Sequence, residues 1–296
     1  MLNMFVGIRD FTVRWVGYET VLDGLKDLGI SGFELYVDSK LKGAEYEDMG
    51  HSVSLGFDLS TEEKRRHLLE NVKSRGLKVC AILVENDFGK QDVKPDIEWI
   101  VDACRVAPTI EVKVVRINSV MDPKPGVPDD DYVKRTVTCI REVLKRTDGL
   151  AVSLAMENHG VLGNKREFIK AVLDGVSSER MGLTLDTGNF YWWGYPLSKI
   201  YEIIDSFAGY VKHTHVKNLS FAPDRREAVR KPGEDWPKSA APIYQGDIDH
   251  KKVVNLLKRA NYDWDLTVED ESLGNFPAEE RLKILKRDIE LLKGLC

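Results

Sequence analysis

The sequence holds little cysteine: 4 residues in 296, at positions 80, 104, 139 and 296, with no paired spacing. That scarcity excludes a disulfide framework and a cysteine-based zinc module, and it fits a reducing compartment such as the cytoplasm. No apolar run approaches the roughly 20 residues that a membrane helix needs. MLNMFVGIRD reaches Arg9 without a basic leader ahead of an apolar stretch, so no signal peptide is expected. Excess positive charge is missing too. With 43 basic against 48 acidic residues the net charge is −5, which lacks the footprint of a nucleic-acid binder. At 43% hydrophobic residues the chain can bury a sizeable core, and a small-molecule partner is the default expectation.

What the sequence does have is rhythm. Short β-rich apolar runs lie near 3–8, 32–37, 77–85, 112–119, 152–158, 181–187, 211–217 and 264–270. Between and after them come helical periodicities near 19–28, 61–76, 96–107, 130–146, 165–175, 198–207, 249–260 and 278–293. The stretch TEEKRRHLLENVKSRG carries an acidic first turn, a basic last turn and a terminal Gly76 suited to a C-cap. Strict alternation predicts a parallel sheet, and eight units in about 250–300 residues close into a (β/α)8 TIM barrel. An open doubly wound sheet is the rival, but its first turn is usually glycine-rich and GIRDFTVRW is not. No break in composition divides the chain, so one domain over 1–296 is expected. The connection 218–247 is long, proline-containing and charged. Following strand 7, it reads as a functional loop over the barrel mouth.

In such a barrel the reacting groups stand at the C-terminal ends of the strands. Glu157 ends strand 5 in AMENHG, Asp186 ends GLTLD, His215 ends VKHTH and Glu269 ends DLTVE. Strands about 4.8 Å apart allow inward side chains at matching heights to converge. Carboxylates facing one another repel unless a cation lies between them, so one divalent ion is the simplest resolution. Oxygen-rich ligation with a single imidazole suits Mn²⁺, Mg²⁺ or Co²⁺, with Zn²⁺ also admissible.

Strand parity adds neighbours, because residues i and i+2 share a face. His159 joins Glu157, Lys217 and His213 join His215, and Glu271 joins Glu269. His213 is expected one layer deeper, while His159 and Lys217 reach the mouth as substrate contacts. A single acid at a strand end is more often solvated or capping; four on consecutive strands outweigh that reading. Trp192, in the aromatic run 190–193, either packs or offers a flat face to sugar C–H groups. Arg225, with Arg226 and Arg230 in the long loop, forms either a solvated charged surface or a clamp on a phosphate, carboxylate or hydroxyl.

The segments MENHG, LDTGN, HTHVKN and YQGDID, leading to NYDWDLTVEDE, resemble the xylose isomerase-like TIM-barrel superfamily. That group includes ketose 3-epimerases, hydroxypyruvate isomerase, inosose dehydratase and the endonuclease IV branch. The resemblance covers roughly 150–275, and the first half through its βα rhythm and GFELY near 32–36. It implies Glu157, Asp186, His215 and Glu269 as metal ligands, with Glu157 and Glu269 as acid and base on opposite faces of the substrate. Many epimerases of the group have a histidine three residues after the strand-6 aspartate, where this chain has Asn189. Asparagine can hydrogen-bond a hydroxyl but cannot shuttle a proton at neutral pH. The extra histidines of the endonuclease IV branch are replaced by Tyr36, Glu85 and Asn189, which with a pI of about 5.8 argues against cleavage of DNA.

The expected activity is therefore a divalent-metal-dependent isomerase or epimerase of a keto-sugar or polyol derivative. It would work by proton transfer through a metal-stabilised enediolate. Two alternatives stand beside it. One is a metal-dependent lyase that dehydrates a keto-inositol or related compound, with Lys217 or His159 as acid–base partner. The other is a non-catalytic sugar-binding barrel or subunit. The aromatic rim and long loop are compatible with a homo-oligomer.

Overall fold

Each of the eight apolar runs forms a strand in the computed structural model, which describes residues 4–43, 45–48 and 51–296, with backbone alone for 45–48 and 51–54. Asn3, the first residue of the expected strand 3–8, lies outside them. The barrel strands are β1 (Phe5–Ile8), β2 (Gly32–Tyr36), β3 (Lys78–Leu83), β4 (Val114–Ile117), β5 (Ser153–Glu157), β6 (Met181–Asp186), β7 (Val211–His215) and β8 (Asp265–Val268). Strands β2 to β7 pair in sequence order as a six-stranded parallel sheet, and β1 pairs with β8. Two single bridges, Arg9↔Glu34 and Val216↔Val268, join this two-stranded ribbon to the sheet on either side and close the cylinder. The expected TIM barrel is the fold.

The outer helices are α1 (Val21–Leu28), α2 (Glu62–Ser74), α3 (Lys94–Val106), α4 (Asp129–Arg146), α5 (Arg166–Val176), α6 (Leu197–Phe207), α7 (His250–Arg259) and α8 (Ala278–Lys293). Their ends follow the local chemistry. At α2 the Thr61 hydroxyl accepts from the Lys64 amide (3.3 Å), and Glu62 and Glu63 sit in the positive first turn. Gly76 (φ +67°) then reverses the chain, with its amide on Lys73 O and that of Leu77 on Val72 O. A side chain would strain that left-handed position. No helix among the described residues is long and apolar enough to cross a membrane.

The main core is apolar: side chains such as Leu25, Ile100, Ile140, Val172, Ile203, Leu257 and Leu285 from the helices join Ile8, Leu35, Val115, Met156 and Leu185 from the strands. The other face of the strands carries a much smaller cluster, Ala81, Val114 and Ala155. Arg116 and Glu157 share a face with Val114 and Ala155 by parity. The rest of the lumen is polar, with Glu34, His213, Thr267 and Asp265 all buried there.

Two hairpins lie outside the eightfold rhythm. Glu45–Asp48 pairs antiparallel with His51–Ser54 after β2. The sequences EYED and HSVS are nearly all polar, so no apolar alternation announces them. The second hairpin, Asn218–Leu219 with Ala240–Ala241, frames the long connection after β7. Inside that connection the buried Arg230 guanidinium donates to Tyr191 O (2.8 Å), Tyr195 O (3.3 Å) and Arg225 O (2.8 Å). It also lies 3.9 Å from the Phe221 ring centroid and 4.3 Å from that of Tyr191. Gly194 (φ +110°) accepts from the Arg230 amide, and a Cβ there would sit 2.2 Å from Arg230 O. The loop is thus packed onto the segment Asn189–Trp193 that follows β6.

Candidate metal and active site

One ligand atom from each of Glu157, Asp186, His215 and Glu269 can be chosen so that all four lie within 4.8 Å of one another, and all four residues are buried. Strands β5, β6 and β7 end in the first three, and Glu269 follows β8 directly. Register explains the convergence: Glu157 pairs with Thr184 and Asp186 with His215, so the polar ends stand at neighbouring heights. Glu157 Oε2, Asp186 Oδ2 and Glu269 Oε2 are buried and accept no well-aligned hydrogen bond. Arg116, Lys217 and His215 lie against these oxygens, yet three carboxylates gathered so closely still repel one another, which a further cation among them relieves. Hard oxygen donors with one imidazole nitrogen fit a divalent ion of the Mn²⁺, Mg²⁺ or Co²⁺ kind, and Zn²⁺ as well.

The surrounding charges are set by β1, β2, β4 and the residues after β7. Arg116 ion-pairs with Glu157, and Arg9 with Glu269. The Lys217 ammonium lies 2.9 Å from Asp186 Oδ2, 2.8 Å from Glu271 Oε2 and 3.6 Å from Glu269 Oε2. Burial alone would discharge Lys217, but the three acids outweigh it and raise its pKa, so it is a fixed cation at neutral pH. For Asp186 burial prevails over the neighbouring cation. Burial lifts its carboxyl to about 7 despite Lys217, while its Oδ1 accepts from the Gly188 and Asn189 amides (2.8 Å each). Burial also raises Glu269, yet His215, Lys217 and Arg9 together hold it well below the usual carboxylate range.

His215 is bracketed by acids. Its Nδ1 is 3.0 Å from Glu157 Oε1 and 3.2 Å from Glu269 Oε2, and its Nε2 is 2.9 Å from Glu34 Oε2. Burial disfavours its charge, but Glu269 and Glu34 prevail and raise it to about 9. Beneath it His213 bridges Glu34 Oε1 (3.0 Å) and Asp265 Oδ1 (2.9 Å). The groupings Glu34–His213–His215 and Cys80–His213–Asp265 also bring metal-ligating atoms together. In the chain of Glu34, His213, His215 and Asp265 the nitrogen-to-oxygen distances are 2.9–3.0 Å, the spacing of hydrogen bonds.

The remaining expected contacts divide. His159 stands beside the quartet, its side chain 39% exposed, with Nδ1 3.7 Å from Glu157 Oε2 and 3.1 Å from Asn118 Oδ1. Loss of surrounding water, then Arg116 and Lys217, push its pKa well down, so it is neutral at pH 7. Asn189 is buried, its side-chain amide donating to Asn158 O (2.9 Å). Trp192 is half-buried against Gly233 of the long loop, and Arg225 is ion-paired with Glu234 and with Asp235 (2.5 Å) in the same loop. Both Trp192 and Arg225 thus engage the long loop rather than the quartet.

Sequence reasoning did not single out Arg9, Glu34 and Arg116. Arg9 follows β1 much as the quartet follows later strands, so the same strand-end rule reaches it. Arg116 is the one charged residue in VVRI, on the face shared with Val114. Glu34 sits mid-strand in GFELY, where a lone acid between apolar neighbours signals an inward partner.

Similarity agrees with the fold. The IOLI protein crystallised with a zinc atom is 16% identical with a TM-score of 0.70, over 96% of each chain. The probable 3-DHS dehydratase AsbF of Bacillus anthracis, involved in petrobactin synthesis, is 16% identical with a TM-score of 0.67, over 98% of this chain and 99% of its own. An L-ribulose 3-epimerase is 16% identical with a TM-score of 0.64, over 98% and 96%. No curated protein sequence matches the chain. At such identities the likeness is one of fold. The family model for the xylose isomerase-like TIM barrel spans residues 22–295, and the chain belongs to that family.

Proposed function

We propose that the chain is a divalent-metal-dependent isomerase or epimerase acting on a keto-sugar or polyol derivative. The observation that carries this reading is the quartet of Glu157, Asp186, His215 and Glu269, with three buried carboxylate oxygens lacking well-aligned donors. These four side chains are the proposed ligands. Such an ion, when bound, polarises a substrate carbonyl and eases loss of the proton on the adjacent carbon.

Within that frame Glu157 and Glu269 are the proposed proton carriers, approaching from the β5 and β8 sides. Removal of the proton by one of them and its return to the adjacent, former carbonyl carbon, with the hydroxyl proton passing to the old carbonyl oxygen, gives isomerisation; delivery by the other to the opposite face of the original carbon gives epimerisation. Arg116 and Arg9 pair with the two carboxylates and aim them. The Lys217 ammonium is a hydrogen-bond donor for a substrate hydroxyl, and His159 is a neutral imidazole at the rim. Asn189, Trp192 and Arg225 act through the wall: Asn189 fixes the Asn158 carbonyl, and the other two support the 218–247 loop, which we take as one side of the mouth.

The test is proton exchange. The protein is loaded with Mn²⁺ or Mg²⁺ and incubated in D₂O with a panel of keto-sugars and keto-inositols, with NMR of the products. Deuterium entering at the carbon next to the carbonyl, without loss of water, is the expected result. Loss of water would transfer the assignment to a lyase. A protein that retains and binds no divalent ion, and exchanges no proton, would be a binding barrel.

A further inference from the structure

We propose that Glu34, on β2, is the positioning residue that fixes which nitrogen of His215 faces the ion. The inference rests on the reading of the quartet as a metal site. Glu34 uses both carboxylate oxygens on imidazoles: Oε1 is 3.0 Å from His213 Nε2 and Oε2 is 2.9 Å from His215 Nε2. A carboxylate only accepts, so each Nε2 must carry a hydrogen. His215 Nδ1, 3.0 Å from Glu157 Oε1 and 3.2 Å from Glu269 Oε2, shares its own proton with those acids; with the Nε2 hydrogen held by Glu34, the Nδ1 proton is the one an ion displaces, which leaves the lone pair on Nδ1. That is the nitrogen a ligand to the quartet's ion must offer.

The layer below keeps Glu34 in place. His213 Nδ1 is 2.9 Å from Asp265 Oδ1, and Asp265 in turn accepts from the Tyr262 hydroxyl (3.2 Å) and the Thr267 hydroxyl (2.6 Å). Arg9 Nε, 3.6 Å from Glu34 Oε2, adds a positive charge on the mouth side. Strands β1, β2, β7 and β8 thus meet in one chain of hydrogen bonds that ends at a ring nitrogen. Partners of this kind orient a metal-binding histidine, and losing one typically weakens the ion about 10–100-fold.

The acceptor count makes the inference specific. Glutamine nearly matches glutamate in shape but has one oxygen, so it can accept from only one of the two imidazoles. Aspartate is a worse fit in shape but keeps two oxygens and the charge. The experiment titrates Zn²⁺ into wild-type, Glu34→Gln and Glu34→Asp proteins by calorimetry. It also follows the His215 Nε2–H resonance of the zinc-loaded, ¹⁵N-histidine-labelled proteins, assigned with His215→Gln.

The expected order of affinity is wild type, then Glu34→Asp, then Glu34→Gln, with Gln weaker than wild type about 10–100-fold. The downfield Nε2–H resonance is expected to move upfield or vanish in Gln. A role in shape alone predicts the reverse order and would overturn the proposal, as would a Gln variant with unchanged affinity and resonance. Should Glu34→Gln fail to fold, Glu34→Asp decides: affinity that falls together with an upfield move of the Nε2–H resonance supports the proposal, affinity lost with the resonance unchanged is a role in shape and overturns it, and so does no change in either. A wild-type protein that binds no Zn²⁺, Mn²⁺ or Mg²⁺ removes the metal reading itself. Wild-type binding that Glu34 does not influence removes only this inference.

Discussion

The two halves of the barrel contribute opposite chemistry to one place. At the ends of strands β5 to β8 stands the proposed ligand quartet, three acids and an imidazole. Strands β1, β2 and β4 contribute Arg9, Glu34 and Arg116, two cations and one acid that touch those ligands without joining them. On the proposed reading the second half would offer atoms to an ion, while the first half, together with Lys217 after β7, sets their charge and orientation. Holding several buried acids side by side requires such counter-charges, because burial alone pushes a carboxyl towards neutrality, as it does for Asp186.

The largest break in this comparison comes from the second half. His215→Gln or Asp186→Asn is expected to reduce binding of Mn²⁺, followed by calorimetry, to background, and exchange activity with it. Retained tight binding in both variants would leave the quartet without its assigned role. From the first half, Arg116→Met should keep the ion but lose stability, about 3–5 kcal/mol for one partner of a buried pair. Denaturant unfolding reads that loss, and exchange kinetics should show a lowered kcat. Equal loss of ion affinity in Arg116→Met and His215→Gln would erase the distinction between the halves.

A smaller effect sharpens the same contrast outside the mouth. Asp270 and Asp288 are both buried, and burial, with the repulsion of Asp270, raises Asp288 to about 9 from an ordinary 3.8. A folded-state pKa above the unfolded one gives stability that is fully present below about 3.8 and lost as pH rises through about 9. The melting temperature should therefore decline between pH 7 and 9, and Asp288→Asn should flatten that decline. A wild-type melting temperature independent of pH over this window would show that no proton is held between them.

Legibility followed the same division. The closed barrel was readable because eight apolar runs alternate with eight helical periodicities, and nothing but a parallel sheet accommodates that order. The quartet was readable because an acid ending an apolar strand is conspicuous. Arg116 and Glu34 are single polar letters within strands, and their meaning depends on which residue stands opposite across the lumen, a distance in sequence of 181 residues for Glu34 and His215. Asn189 illustrates the reverse limit. Its position three residues after Asp186 suggested a substrate contact, but the turn directs its side chain onto the Asn158 carbonyl. The hairpin Glu45–Asp48 with His51–Ser54 left no trace in hydropathy because it is built from polar letters.

The ribbon of β1 and β8 is attached to the six-stranded sheet by one bridge on each flank. Three members of the quartet belong to the sheet, and Glu269 follows the ribbon. An ion shared by all four would act as a staple across the seam between β7 and β8. Amides there, such as those of Val216 and Glu269, should then exchange their hydrogens for solvent deuterium more slowly once Mg²⁺ is added, while those between β5 and β6 keep their rates.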